Sequence, residues 1–257
     1  AGAPWALWFA FFGGRAIPWI VTAFVSRFYD GLAVSGGAAA SMAAGFGNLA
    51  LLGTPLALAH FGQSVAIPLG MILSVHAPVL WFAATLHREL ARHSGSFSFG
   101  RTAKELFLNL ATNAIVLALV AGTIWRTTGL GLHPIVERML EMLADASVPT
   151  ALFALGVSLA GYSLRGAWSS MFTLIALKMV LMPILVWLAV RHVVTVPQLW
   201  AKVAVLYAAM PTGANAFLFA QRNEEAVPAV SGAIALGTGL AAITASVLLY
   251  LMDAGLI

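Results

Sequence analysis

Two amides and two prolines stand where a buried helix ordinarily carries neither. Asn48 lies seven residues before Pro55 in "GFGNLALLGTP", and Asn215 lies four residues after Pro211 in "AAMPTGANAFLFAQR". Seven and four residues are about two turns and one turn of helix, so each amide falls on the face of its own proline. Proline removes a backbone donor and ends or kinks a helix. Thr54-Pro55 therefore reads as an N-cap followed by the first residue of a new half-helix, and Pro211-Thr212-Gly213 repeats the arrangement. The N–H groups at such a start carry partial positive charge and suit a carboxylate. The chemistry this predicts is the holding of an organic anion by half-helix ends and amides.

Three ionisable residues fall inside apolar stretches. Arg15 is mid-segment, where a charge costs roughly 2.5–3.5 kcal/mol at the bilayer centre; it either attracts an anion or gates, or its side chain snorkels to the interface. Lys178 stands about ten residues into its apolar run. It can pair a carboxylate, supply positive field, shed its proton on burial, or bond the carbonyls of a helix break. His76, before Ala77-Pro78, is a candidate proton carrier near neutral pH or a structural hydrogen-bonding group. Asp and Glu are missing from the depth of the same runs, and Glu141 and Asp145 sit in the outer third of another. A sodium site made of membrane carboxylates is not evident, although backbone carbonyls and Asn can still take sodium.

These side chains need a scaffold that lives in lipid. Of the 257 residues, 61% are hydrophobic and 9% charged, against roughly 25% charged in soluble domains. Eight runs are long enough to cross the hydrocarbon: Trp5–Phe24, Gly37–Ala59, Val65–Thr85, Leu106–Trp125, Val136–Ala160, Ser169–Val190, Leu199–Phe219 and Ala229–Met252. The His87–Glu105 loop carries Arg88, Arg92, Arg101 and Lys104, which puts it in the cytoplasm. Alternation places Arg27, Arg165 and Arg222 inside too, leaves Arg126, Arg138, Arg191 and Lys202 outside, and puts the C-terminus outside. The net charge of +4 reads as topology, not nucleic-acid affinity. The chain has no cysteine, so thiolate chemistry, disulfides and cysteine metal sites are excluded. No cofactor or metal is implied.

The first three runs match the last three. Each triplet has a basic residue shortly before a proline (Arg15 with Pro18, Lys178 with Pro183), then a proline-broken helix. A short turn with Gln63 or Gln221 follows, then Ala-Ile-Pro or Ala-Val-Pro opening the next run. Leu106–Ala160 has no counterpart, so a complete repeat predicts two helices ahead of Ala1. Two five-helix repeats have inverted topology, and interrupted segments at matching places point to a transporter binding site.

The motifs "AAGFGNLALLGTPLALAHFG", "VPTALFALGVSLAG", "LKMVLMPIL" and "AAMPTGANAFLFAQR" occur in order over nearly the whole chain. Together they resemble the auxin efflux carrier family of membrane transporters, which includes the plant PIN-formed exporters and bacterial organic-acid permeases. The resemblance implies an all-α polytopic membrane protein with inverted five-helix repeats and crossed, proline-broken helices. On that template eight of the ten helices would be present here and the first two would be missing. It implies transport-domain halves at 1–86 and 164–257, a cytoplasmic loop at 87–105, and scaffold helices at 106–163 that form a homodimer. Pro55 and Pro211 become the crossover prolines, with Thr54 and Thr212 beside them. Asn48 and Asn215 become the polar residues near a small organic acid, and Lys178, His76 and Arg15 the candidate coupling or field residues. The family often has Asn-Pro where this chain has Asn113-Ala114, which removes an inference about a kink there.

The reading is a secondary or potential-driven carrier of small organic acid anions in the plasma (inner) membrane, working by alternating access, and not an enzyme. Two rivals are a non-transporting membrane sensor on the same fold and an intramembrane hydrolase. The second rests on "GVSLA" at Gly156–Ala160 with His76 as base, a poor match because the closing Gly is replaced by Ala160.

Overall fold

In lipid, every backbone polar group must find a partner inside the protein, so apolar runs of this length fold as helices. The computed structural model describes residues 4–28, 37–91, 100, 104, 107–108, 111–112, 114–162 and 168–256. Among the described residues there are helices and no strands. They are α1 (Pro4–Val25), α2 (Ala38–Gly45), α3 (Thr54–Phe61), α4 (Ala66–Ala91), α5 (Ala114–Thr127), α6 (Pro134–Leu159), α7 (Trp168–Ala176), α8 (Met182–Leu188), α9 (Gln198–Ala209), α10 (Ala214–Asn223) and α11 (Val227–Asp253). The all-α expectation holds. Of the loop expected in the cytoplasm, residues 92–99, 101–103 and 105 lie outside the described residues, as do Asn113 and Arg165.

Four described stretches are long and apolar enough to cross a membrane: Trp5–Phe28, Leu49–Ala91, Trp168–Val193 and Val227–Asp253. Two of the eight expected runs do not stand as single helices. Gly37–Ala59 and Leu199–Phe219 are each interrupted, so neither is one uninterrupted helix. The run expected over Val136–Ala160 corresponds to helix α6, Pro134–Leu159. The run expected over Leu106–Trp125 is a continuous described helix only from Ala114. Helices α3 and α4 join through a 3-10 turn at Gly62–Val65 and count as one stretch.

Two prolines are accommodated in one way. Pro55 is the second residue of α3, and Pro183 the second residue of α8. A π turn precedes each, Leu49–Gly53 and Leu177–Leu181. At its end the N–H of Thr54 bonds the Leu49 carbonyl, and that of Met182 the Leu177 carbonyl, five residues back. The wider turn gives room to a ring that clashes with the carbonyl four residues back in an α-helix.

Packing divides into two cores. One joins α2, α10 and α11 with Leu80 and Ala84 of α4 and Leu174 of α7. The other joins α9 with Leu7 and Phe11 of α1, Ala57 of α3, Leu69 and Ile72 of α4, and Val186 of α8. Every residue of α2 (AAASMAAG) is buried, and side chains this small let neighbouring backbones come close. Helix α1 packs against both α2 and α8.

Helix α11 is tied to first-triplet elements at both ends. Glu225, just before it, accepts a 2.9 Å bond from Arg88 in the last turn of α4. Asp253, its last residue, lies 3.1 Å from His60 in α3. Helix α6 touches α3 and the π turn before it, and α5 touches α4. Large apolar side chains on this pair, among them Ile124, Ile135, Met139 and Leu143, are exposed.

Candidate functional site

The two interrupted helices repair each other's backbone. Helix α2 ends at Gly45 and helical turns resume at Leu49, while α9 ends at Ala209 and α10 begins at Ala214. Met210 is extended, as the residue before a proline must be. The Asn48 N–H donates to the Pro211 carbonyl at 2.7 Å, and the Gly213 N–H donates to the Phe46 carbonyl at 3.0 Å. Gly47 and Thr212 thereby face each other as one antiparallel bridge. Groups that lipid cannot satisfy are paired across the crossing. The approach is close: a Cβ on Gly213 would stand 2.9 Å from the Gly47 carbonyl oxygen and 3.0 Å from its carbon. The Thr212 hydroxyl donates to the Ala43 carbonyl at 2.9 Å, which helps to satisfy the open end of α2.

Beside the crossing lies a pocket of about 230 Å³ whose lining includes Asn48, Leu73, His76, Ala77, Gly213 and Asn215. Leu49 and Ala214, the first helical residues after each break, also line it, so two helix starts meet one cavity; the Leu49 N–H itself is bonded to the Gly47 carbonyl at 2.9 Å. Asn48 is buried and Asn215 half-buried. Neither amide is spent on another side chain among the described residues.

Two basic side chains stand at the crossing, and a third lies against Phe11 and Phe12. The Lys178 ammonium, fully buried, donates to the Ala208 carbonyl at 2.6 Å, on the last turn of α9, where carbonyls are orphaned and the helix dipole is negative. It also stands 3.4 Å from where a Cβ on Gly47 would be. Of the roles open to Lys178, bonding a helix-break carbonyl is the one the geometry displays. His76 Nε2 lies 3.3 Å from the Gly47 carbonyl oxygen and its ring 4.4 Å from that of Phe46; its Nδ1 is buried without a partner. The Arg15 guanidinium lies 3.6 Å over the ring of Phe11 and 5.1 Å from that of Phe12. Arg15 is 2% exposed, and none of its three nitrogens has a hydrogen-bond partner among the described residues.

The structure thus gathers Asn48, Pro211, Thr212, Asn215, His76 and Lys178 at one crossing, and leaves Thr54 and Pro55 out of it. The interruption in the first broken helix falls at Phe46–Asn48, not at Pro55, because the π turn lets the helix run through the proline. Thr54 does not open a half-helix either: its hydroxyl bonds the Leu49 carbonyl at 2.9 Å and the Tyr207 hydroxyl at 2.6 Å. Gly47 is the crossing residue missing from the sequence expectation, which had Gly213 in Pro211-Thr212-Gly213. The "GFGN" run, two glycines around one residue just before the amide, is the signal that marks it.

Comparison with known proteins gives the geometry its context. A family model described as "Membrane transport protein" matches residues 2–249. A protein of Rhizobium meliloti (strain 1021) named "Putative malonate transporter" is 29% identical over 221 residues, covering 83% of this chain and 66% of that protein. "Auxin efflux carrier component 8" of Arabidopsis thaliana is 27% identical over 152 residues, covering 58% of this chain and 41% of that protein. The chain therefore spans less than two thirds of the length of either relative. The resemblance carried by the four motifs is borne out. With that match running through both broken helices and the pocket between them, the chain belongs to this family of membrane transport proteins, a family of transporters and not of enzymes.

Proposed function

We propose that these helices carry the binding site of a secondary or potential-driven carrier for small organic acid anions. The observation behind the reading is the crossing: two interrupted helices, paired antiparallel through Asn48 N–H and Gly213 N–H, put two helix starts and two amides on one pocket. A carboxylate there accepts from the Asn48 and Asn215 side-chain amides and meets the positive ends of the two helix starts. Malonate, a small dicarboxylate named for one relative, and auxin, named for the other, are both organic acids.

In this reading the chain holds parts of two inverted five-helix repeats. Residues 1–86 and 164–257 form one transport domain, and 106–163 form the scaffold and a homodimer surface. The two ties at the ends of α11 support treating the triplets as one body, since each joins a first-triplet helix to the last helix. Alternating access is the movement of that body against α5 and α6 in the plasma membrane, with the Arg88–Glu225 end in the cytoplasm and the C-terminus outside. Inside-negative voltage is worth ~2.3 kcal/mol per charge per 100 mV and drives anion export unaided. Import needs a co-ion, and His76, with Nδ1 unpartnered, is the group placed to take a proton.

The test is flux of radiolabelled malonate in proteoliposomes holding the full-length protein that contains these residues. Asn48→Ala and Asn215→Ala are each expected to abolish flux while keeping the wild-type elution profile in detergent. Undiminished flux in both variants defeats the site assignment.

A further inference from the structure

A second cavity stands apart from the crossing. It is a groove of about 550 Å³ between α8, α9 and α11, and its lining, which includes Ile184, Trp187, Ala209, Ile243, Leu251 and Leu256, is apolar but for Thr244. Ile184 and Ile243 are exposed, so the groove opens sideways out of the packed helices. Helices α8 and α11 lie in stretches long and apolar enough to cross a membrane, and the medium on that open side is lipid.

The length of the groove says what fits it. Ile243 and Leu251 stand about 12 Å apart along α11 at 1.5 Å per residue, and the lining continues to Leu256, just past the end of the helix at Asp253. The hydrocarbon core is about 30 Å thick, so the groove runs from one membrane surface to roughly half depth. A crossing helix needs the whole thickness and is about 10 Å wide with its side chains. A single acyl chain is narrow and belongs to one leaflet.

The mouth is basic. Arg191, four residues beyond Trp187 in the π turn Ala189–Val193, is exposed. Lys202 lies one turn before Val205, another lining residue, on α9, and its ammonium donates to the Met252 carbonyl at 2.7 Å, beside Leu251. An ammonium has three donors, so this bond leaves two. The two cations flank the short connection that ends where α9 begins at Gln198. The ion pairs found among the described residues use His60, Arg88 and Arg138 as their cations and take up neither Arg191 nor Lys202. Asp253, the acid at this end of α11, is engaged with His60.

We propose that this groove is a binding site for an anionic phospholipid, with one acyl chain along α8, α9 and α11 and the phosphate held at the mouth by Arg191 and Lys202. A zwitterionic lipid offers the same chain, but its headgroup cation opposes the two basic side chains. The site does not depend on what the crossing carries. Its inner end touches Met179 and Ala209, the sequence neighbours of Lys178 and Ala208, whose bond stands at the crossing. A bound chain therefore supports that contact from the bilayer side.

The experiment measures lipid binding to the full-length protein in detergent by native mass spectrometry, with dioleoyl phosphatidylglycerol, dioleoyl phosphatidylcholine and oleate as probes. Phosphatidylglycerol is expected to bind about tenfold more tightly than phosphatidylcholine, the scale of one or two surface cations. Arg191→Gln, at an exposed position, is expected to reduce that preference about threefold, and Arg191→Gln with Lys202→Gln to abolish it. Val247→Trp, at an exposed lining position, fills the groove and leaves both cations; it is expected to weaken both phospholipids about tenfold. Equal affinity of the wild-type protein for the two phospholipids overturns the proposal and needs no variant to fold. A double variant that keeps the preference overturns it too. Oleate that competes as well as phosphatidylglycerol assigns the site to a free fatty acid instead. Undiminished phosphatidylglycerol binding to Val247→Trp overturns the seat in the groove. A lowered thermal midpoint with that result assigns the groove to another helix of the full-length chain, and a shift from dimer to monomer assigns it to a second copy.

Discussion

Asn48 and Pro211 belong to opposite ends of the chain, yet the amide hydrogen of one is bonded to the carbonyl of the other at 2.7 Å. Pro211 has no N–H of its own to offer, so the exchange across the crossing is completed by Gly213 N–H to Phe46. The arrangement depends on backbone approaching backbone, and that dependence is measurable.

Gly213→Ala places a methyl group 2.9 Å from the Gly47 carbonyl oxygen, where the neighbours are backbone and the ring of Phe46. Overpacking of this kind costs roughly 1–3 kcal/mol. The expected outcome is a lower thermal midpoint in detergent, read by tryptophan fluorescence. An unchanged midpoint means that the two breaks are further apart than described.

The Thr212 hydroxyl spends its donor on the Ala43 carbonyl. Thr212→Val keeps the shape and removes the donor, so a loss of about 1 kcal/mol is expected. Thr212→Ser, which keeps the hydroxyl, should recover most of it. Equal midpoints for the Val and Ser variants argue against the bond.

The two ties on α11 should differ sharply in worth. Glu225 is 2% exposed and Arg88 is mostly buried; removing the cation leaves a buried carboxylate uncompensated. Arg88→Met is therefore expected to cost ~3 kcal/mol or more. Asp253 is 59% exposed in its pair with His60, and His60→Gln should cost under about 1 kcal/mol. Chemical denaturation of both variants side by side checks the order; a reversal means that burial does not set the strength of these pairs.

Tyr207→Phe removes the hydroxyl that meets Thr54 at 2.6 Å, while Thr54 keeps its bond to Leu49. With one partner remaining, the expected loss is about 0.5–1.5 kcal/mol. Hydrogen exchange should then show faster opening at Leu49–Thr54 and an unaltered α10. Equal acceleration in both segments contradicts a local role.

Much of this was legible in the residues themselves. Apolar runs with almost no charge can only be membrane helices, and Asn48 and Asn215 were marked by their place beside breaks. The location of the first break was not legible from Pro55, because proline is only one way to interrupt a helix. Phe46–Gly47–Asn48 does so with a glycine and a bond to the second broken helix, and the π turn then absorbs the proline. The Arg88–Glu225 and Lys178–Ala208 contacts join residues distant in sequence. Neither spacing nor residue type pairs such partners, and only the packed helices bring them together.

The π turn Leu49–Gly53 has a consequence for rotation. A helix turns about 100° for each residue added, so one extra residue in a turn swings all that follows around the axis. That phase is what presents Thr54 to Tyr207 and Ala57 to the inner core. Removing a single residue from Leu49–Gly53 would leave the composition of α3 untouched and aim its side chains elsewhere. The direction in which α3 faces is set by counting residues, and the same counting at Leu177–Leu181 sets α8 relative to Lys178.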